Sequence, residues 1–145
     1  LYLEELEEAL SKNRDVRFIW AHAGSSMELH RHQEELDFLL PLLQRLLKEH
    51  DNLYIDLSWT MLEPYLLNAK GKPNSDWLKL LQNYPKRFVL GSDVVGRFSS
   101  LGKTLHSFDP LLDALPNDVA QAIAEDNFPA LLPQQRKKQI IGLEA

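Results

Sequence analysis

The chain contains no cysteine, which excludes disulfides and thiolate metal ligands and fits a reducing compartment. Nor does any apolar run approach the ~20 residues that a bilayer-crossing helix needs, so no membrane partner is expected. Basic stripes and low-complexity segments are also missing, and the net charge is −5, which argues against a nucleic-acid partner. What is present is an ordinary soluble composition, 44% apolar and 26% charged over 145 residues. That length suffices for one domain with a real core. A cytoplasmic location is the expectation.

Three short apolar runs each end in a polar residue: Val16 to His22, Asn52 to Ser58 and Arg87 to Asp93. His22 and Ser58 are 36 positions apart, and Ser58 and Asp93 are 35 apart. A strand, a loop and a returning helix need about that length, so the period predicts consecutive βα units of a parallel barrel or sheet. In such folds chemistry sits at the carboxyl ends of the strands. A complete eight-unit barrel takes about 250 residues, whereas three units account for nearly everything here. The start on Leu1, running directly into a helical pattern, leads to the expectation of an internal starting point within a longer polypeptide. The predicted fold class is therefore α/β, a partial (β/α)8 barrel of about three βα units.

Helical spacing fills the intervals. Leu3, Leu6 and Leu10 form a narrow stripe on an acidic first helix, with Glu4, Glu5, Glu7 and Glu8 read as a solvated face. Leu36, Leu39, Leu40, Leu43, Leu46 and Leu47 hold one phase across Pro41, which predicts a kinked helix or two short ones. Asn74 or Ser75 caps a helix carrying Trp77, Leu78 and Leu81 that stops before Pro85. Val94 to Ser107 lacks periodicity and reads as a mobile active-site loop. Asp109-Pro110 and Asn117 start further helices, and residues 133–145 form a peripheral tail.

Alternation along the strands sorts the side chains. In the second run Leu53, Ile55 and Leu57 share an apolar face suited to a helix layer, so Tyr54, Asp56 and Ser58 should point toward the barrel axis. His22 is in phase with Phe18 and Trp20, and Asp93 with Gly91 and Val89. His22, Ser58 and Asp93 each close a run and are expected to converge at one rim. Imidazole and carboxylate there suit a divalent metal such as zinc, whose bound water falls to a pKa of about 7. Asp56 either orients a ligand or bonds a neighbouring strand. Arg97, in the loop after Asp93, is a candidate for binding a substrate carboxylate.

Ala21-His22-Ala23-Gly24, Tyr54-Ile55-Asp56-Leu57-Ser58, Leu90-Gly91-Ser92-Asp93 and Asn127-Phe128-Pro129-Ala130-Leu131-Leu132 occur in that order. Together they resemble the carboxyl-terminal half of the amidohydrolase-related family, metal-dependent hydrolases and decarboxylases on a (β/α)8 barrel. By position the resemblance implies that His22 is the catalytic or metal-binding histidine and Asp93 the metal-binding, proton-transferring aspartate. It also implies that residues 1–132 are the carboxyl-terminal portion of such a barrel. The family's H-x-H after strand one and its histidine after strand five are not matched. His30-Arg31-His32 has the right letters, but no apolar strand precedes it, and it reads as surface histidines. Too few ligands remain here for a tight metal site.

The expected function is a metal-dependent hydrolase or nonoxidative decarboxylase (a lyase) of a small carboxylated or cyclic substrate. Catalysis falls to His22 and Asp93, which are also the metal ligands, and Ser58 and Arg97 contact substrate. The cofactor is a divalent ion, zinc by its ligands, in the full-length protein. The 145 residues alone are expected to be inactive. The alternative is a catalytically inactive barrel acting as a binding or scaffold protein, and a phosphoesterase or nuclease ranks lower. The expected partner is a small-molecule substrate, and the unpaired strand edges are expected to be covered by the rest of the same polypeptide or else by another copy of the chain in a homo-oligomer.

Overall fold

A computed structural model of the protein describes residues 2–26, 36–96 and 98–133, except for the Trp59 side chain. His30, Arg31, His32, Arg97 and the tail beyond residue 133 lie outside the described residues. The elements run α1 (Leu3–Lys12), β1 (Phe18–Trp20), α2 (Leu39–Glu49), β2 (Leu53–Asp56), α3 (Ser75–Asn83) and β3 (Phe88–Val89). Four short helices complete the order: α4 (Leu101–His106), α5 (Asp109–Asp113), α6 (Asn117–Gln121) and α7 (Asn127–Leu131). The strands form one all-parallel sheet in the order β1-β2-β3. This is the α/β arrangement that the 35-residue period predicts.

Register sets the geometry of the site. Trp20 pairs with Ile55, and Ile55 with Phe88, so the three strands end nearly level. Leu53, Ile55 and Leu57 are fully buried against the leucines of α2 and α3, as alternation requires. The opposite face carries Ile19, 43% exposed, beside the half-buried Tyr54 and Asp56. That face is mixed in character, since Val89, in register with Asp56, is buried.

The strands are shorter than the apolar runs. Each stops before its terminal polar residue: two positions short of His22, two short of Ser58 and four short of Asp93. Pro41 does not kink α2. It lies in the first turn, where the missing N–H has no intrahelical acceptor to lose. Asn74 caps α3 as predicted, its Oδ1 accepting the Asp76 N–H at 3.0 Å. The loop after β3 contains more regular structure than its composition suggested, a single 3₁₀ turn over Phe98–Ser100 leading into α4.

Two buried amides tie helices to the sheet. Asn52, 5% exposed, donates through Nδ2 to the carbonyls of Leu10 at 3.1 Å and Asn13 at 3.0 Å, fixing the end of α1 to the start of β2. Asn127 donates to the carbonyls of Pro85 at 2.8 Å and Phe88 at 2.7 Å, fixing α7 to β3. Removing the Asn52 amide takes a donor from the Leu10 carbonyl and from the Asn13 carbonyl, of which the second keeps the Val16 N–H at 3.0 Å. Asn52→Ala is therefore expected to lower stability by about 1–3 kcal/mol in urea unfolding. A loss below about 0.5 kcal/mol would show that water replaces the amide freely.

Candidate functional site

The Asp56 carboxylate sits at the carboxyl end of the central strand and gathers the segments that leave all three strands. Its Oδ2 accepts the His22 N–H at 3.4 Å and the Ser58 hydroxyl, and its Oδ1 accepts the Ser58 N–H at 3.3 Å. From β3, Gly91 passes directly over it. A Cβ on Gly91 would lie 2.6 Å from Asp56 Oδ1 and 3.4 Å from Ser58 Cβ. Only a residue without a side chain fits so close an approach. Of the two roles the sequence left open for Asp56, the structure shows the bond to a neighbouring strand's exit.

His22 does not continue the strand alternation. Phe18 and Trp20 pair with Leu53 and Ile55 and so share the helix-facing side of the sheet. Strict phase would have put His22 on that side too. Instead the chain turns at Ala21–Gly24, with His22 at φ 38°, Ala23 at φ 49° and Gly24 at φ 70°. The His22 peptide is held at both ends. Its N–H reaches Asp56, and its carbonyl accepts from Ser25 N at 2.9 Å and Ser25 Oγ at 2.7 Å. Ser25 Oγ also meets Thr60 Oγ1 at 2.5 Å, and both residues are buried, so the loops after β1 and β2 are joined a second time.

Asp93 is exposed and has φ 48°. Its carboxylate makes no hydrogen bond or ion pair among the described residues. His22, Ala23 and Asp93 are the non-glycine residues with positive φ among the described residues, and all three lie beyond the carboxyl ends of strands. Such a conformation costs about 1–2 kcal/mol for each L-residue and concentrates at functional sites.

The structure thus brings His22, Asp56 and Ser58 together and puts Asp93 at the same end of the sheet. Ser58 is 2% exposed, with its hydroxyl donated to Asp56. Arg97 lies outside the described residues. At this rim no three histidine or carboxylate ligands come together among the described residues. His22 and Asp93 alone therefore do not complete a metal centre, which takes three or more protein ligands.

A group that could hold a metal ion occurs elsewhere. Glu7, Glu49 and His50 offer ligand atoms within 4.8 Å of one another, where α1 meets the end of α2. This is the amino end of the sheet, opposite the rim. Glu7 is not simply part of a solvated acidic face, because Arg45 donates to both its oxygens at 2.7 and 3.1 Å and to Glu49 at 2.8 Å. The signal that could have paired them is the i, i+4 spacing of Arg45 and Glu49 on one helix; the long-range partner Glu7 has no sequence signature. Compared with known proteins, the chain matches no family model, no curated sequence and no solved structure.

Gly91→Ala should drive the Asp56 carboxylate from its place and lower stability by about 1–3 kcal/mol. It should also shift the amide resonances of His22 and Ser58; unchanged resonances would contradict the close packing of Gly91 on Asp56. At the amino end, the hydrogen bonds from Arg45 hold the Glu7 carboxyl below its ordinary value of about 4.5; burial opposes them, and the charges of Arg45 and His50 add to the lowering. A lowered folded-state value means that this contribution is complete above the unfolded value and lost as pH falls through the folded value. Glu7→Gln should cost about 0.5–1 kcal/mol near neutrality, given the partial exposure of the pair. The gap between the two proteins should narrow in melts as pH falls below the ordinary value of about 4.5; a gap independent of pH would refute the assignment.

Proposed function

We propose that the carboxyl-end rim belongs to a hydrolase or nonoxidative decarboxylase of a small carboxylated or cyclic substrate, with His22 and Asp93 as its catalytic residues. The observation that carries this is a coincidence of two independent signals. The two residues singled out by motif order are also two of the three described non-glycine residues held in a left-handed conformation. In this scheme Asp93, exposed and without a partner among the described residues, takes a proton from water or returns one to the substrate. His22 stabilises negative charge developing on the substrate, its peptide held by Asp56 and Ser25. Ser58 acts through Asp56 as a positioning residue. Arg97 would bind the substrate carboxylate as a bidentate donor.

Among the described residues a zinc ion would draw on His22 and Asp93 at this rim, and the proposal rests on that acid–base pair. The second reading is a catalytically inactive barrel that binds small carboxylates without turning them over. One experiment separates the two: assay of the whole native protein against small cyclic amides and aromatic carboxylic acids, following hydrolysis and CO₂ release. Asp93→Asn should lower turnover by about 10²–10⁴-fold while leaving the melting temperature unchanged. Full activity in Asp93→Asn would overturn the catalytic assignment. Binding of the acids without turnover by the wild type would support the scaffold.

A further inference from the structure

The Glu7–Arg45–Glu49–His50 cluster lies at the opposite end of the sheet from the rim, so its chemistry is independent of the proposed activity. Three features set it apart from a casual group of surface acids. First, its ligands come from two elements far apart in sequence, Glu7 on α1 and Glu49 and His50 at the end of α2. Second, the His50 residue is only 9% exposed, and its ring makes no hydrogen bond among the described residues. A ring nitrogen nevertheless lies within 4.8 Å of a carboxylate oxygen of both Glu7 and Glu49. Third, a cation already balances the acids: the Arg45 guanidinium donates to Glu7 and Glu49 together.

His50 is also well anchored. Its N–H bonds the Leu46 carbonyl at 2.9 Å, and its own carbonyl accepts from the Arg87 guanidinium and from Leu53 N. The two carboxylates are more adjustable, with side chains 31% and 49% exposed. Two carboxylates and an imidazole form a donor set of the zinc class. Ligand bonds of about 2.1 Å imply ligand atoms about 3.4 Å apart in a tetrahedral site. The present spread of up to 4.8 Å is wider than that, a gap that rotation of two partly exposed glutamates can close.

We propose that Glu7, Glu49 and His50 form a structural divalent-cation site of the zinc class, and that Arg45 occupies the cation's place in the metal-free protein. Entry of the ion displaces the guanidinium into solvent, for which a side chain already 40% exposed needs little rearrangement. The negative end of the α2 dipole favours a cation at this position. The ion replaces the Arg45 bridge between α1 and α2 with coordinate bonds to both helices.

The test is calorimetric titration of zinc chloride into the wild type, Arg45→Gln and the double variant Arg45→Gln/His50→Gln. Removing the competing guanidinium should tighten binding of one zinc ion by about tenfold or more. The double variant should lose that gain, while binding at the other histidines cancels between the proteins. Equal affinity in the single and double variants would overturn the proposal, as would equal affinity in the wild type and Arg45→Gln. If Arg45→Gln unfolds without metal, refolding by zinc in the single variant only supports the site. Failure of zinc to refold it counts against the site.

Discussion

The structure depends at the carboxyl end of its sheet on one half-buried carboxylate, that of Asp56. Parallel strands share no hairpin, so nothing in their connectivity forces the loops at their carboxyl ends to stay together. Asp56 does so chemically. It accepts the backbone N–H of His22 from the exit of β1 and both donors of Ser58 from the exit of its own strand, and Gly91 lies over it from the exit of β3. Hydrogen bonds to a charged acceptor contribute about 1.5–3 kcal/mol each. That is comparable with the backbone strain stored at His22 and Ala23. The rim can hold those residues in a left-handed turn because the carboxylate and Ser25 fix the peptide at both ends.

The opposite end of the sheet is organised on the same principle with the charges reversed. Arg87 donates from Nε to the Leu53 carbonyl at 2.6 Å and from its other nitrogen to the His50 carbonyl. It also stacks 5.3 Å from the centre of the Tyr54 ring. Burial pushes its pKa below the ordinary arginine value, but the group stays a donor throughout the accessible pH range. A cationic clamp thus gathers carbonyls where the strands begin, and an anionic one gathers amides where they end. No described helix is long and apolar enough to cross a membrane.

The fold was legible where periodicity carried it. The recurrence of apolar runs and the Leu53, Ile55, Leu57 face sufficed for a parallel sheet with flanking helices. Strand ends were less legible, because the runs continue in composition past the point where the backbone turns. At His22 the break is a matter of φ, which Ala-His-Ala-Gly signals only through its glycine. Asp56 could be placed on the right face by alternation, but its role needed the register of β1 and β3. Asn52 read as the first residue of an apolar run and Asn127 as part of a terminal motif, since amides that bond carbonyls 39 or more residues away leave no local trace. His50 and Glu7 were similarly silent.

The central claim, that Asp56 couples the exits of all three strands, is tested most directly by native-state hydrogen exchange on Asp56→Ala compared with the wild type. The predicted result is that amides in residues 21–25, 58–60 and 90–93 lose protection together while the ladder amides of Ile55 and Leu57, bonded to the Arg87 and Val89 carbonyls, keep theirs. Loss confined to residues 58–60, with the exits of β1 and β3 unchanged, would contradict it.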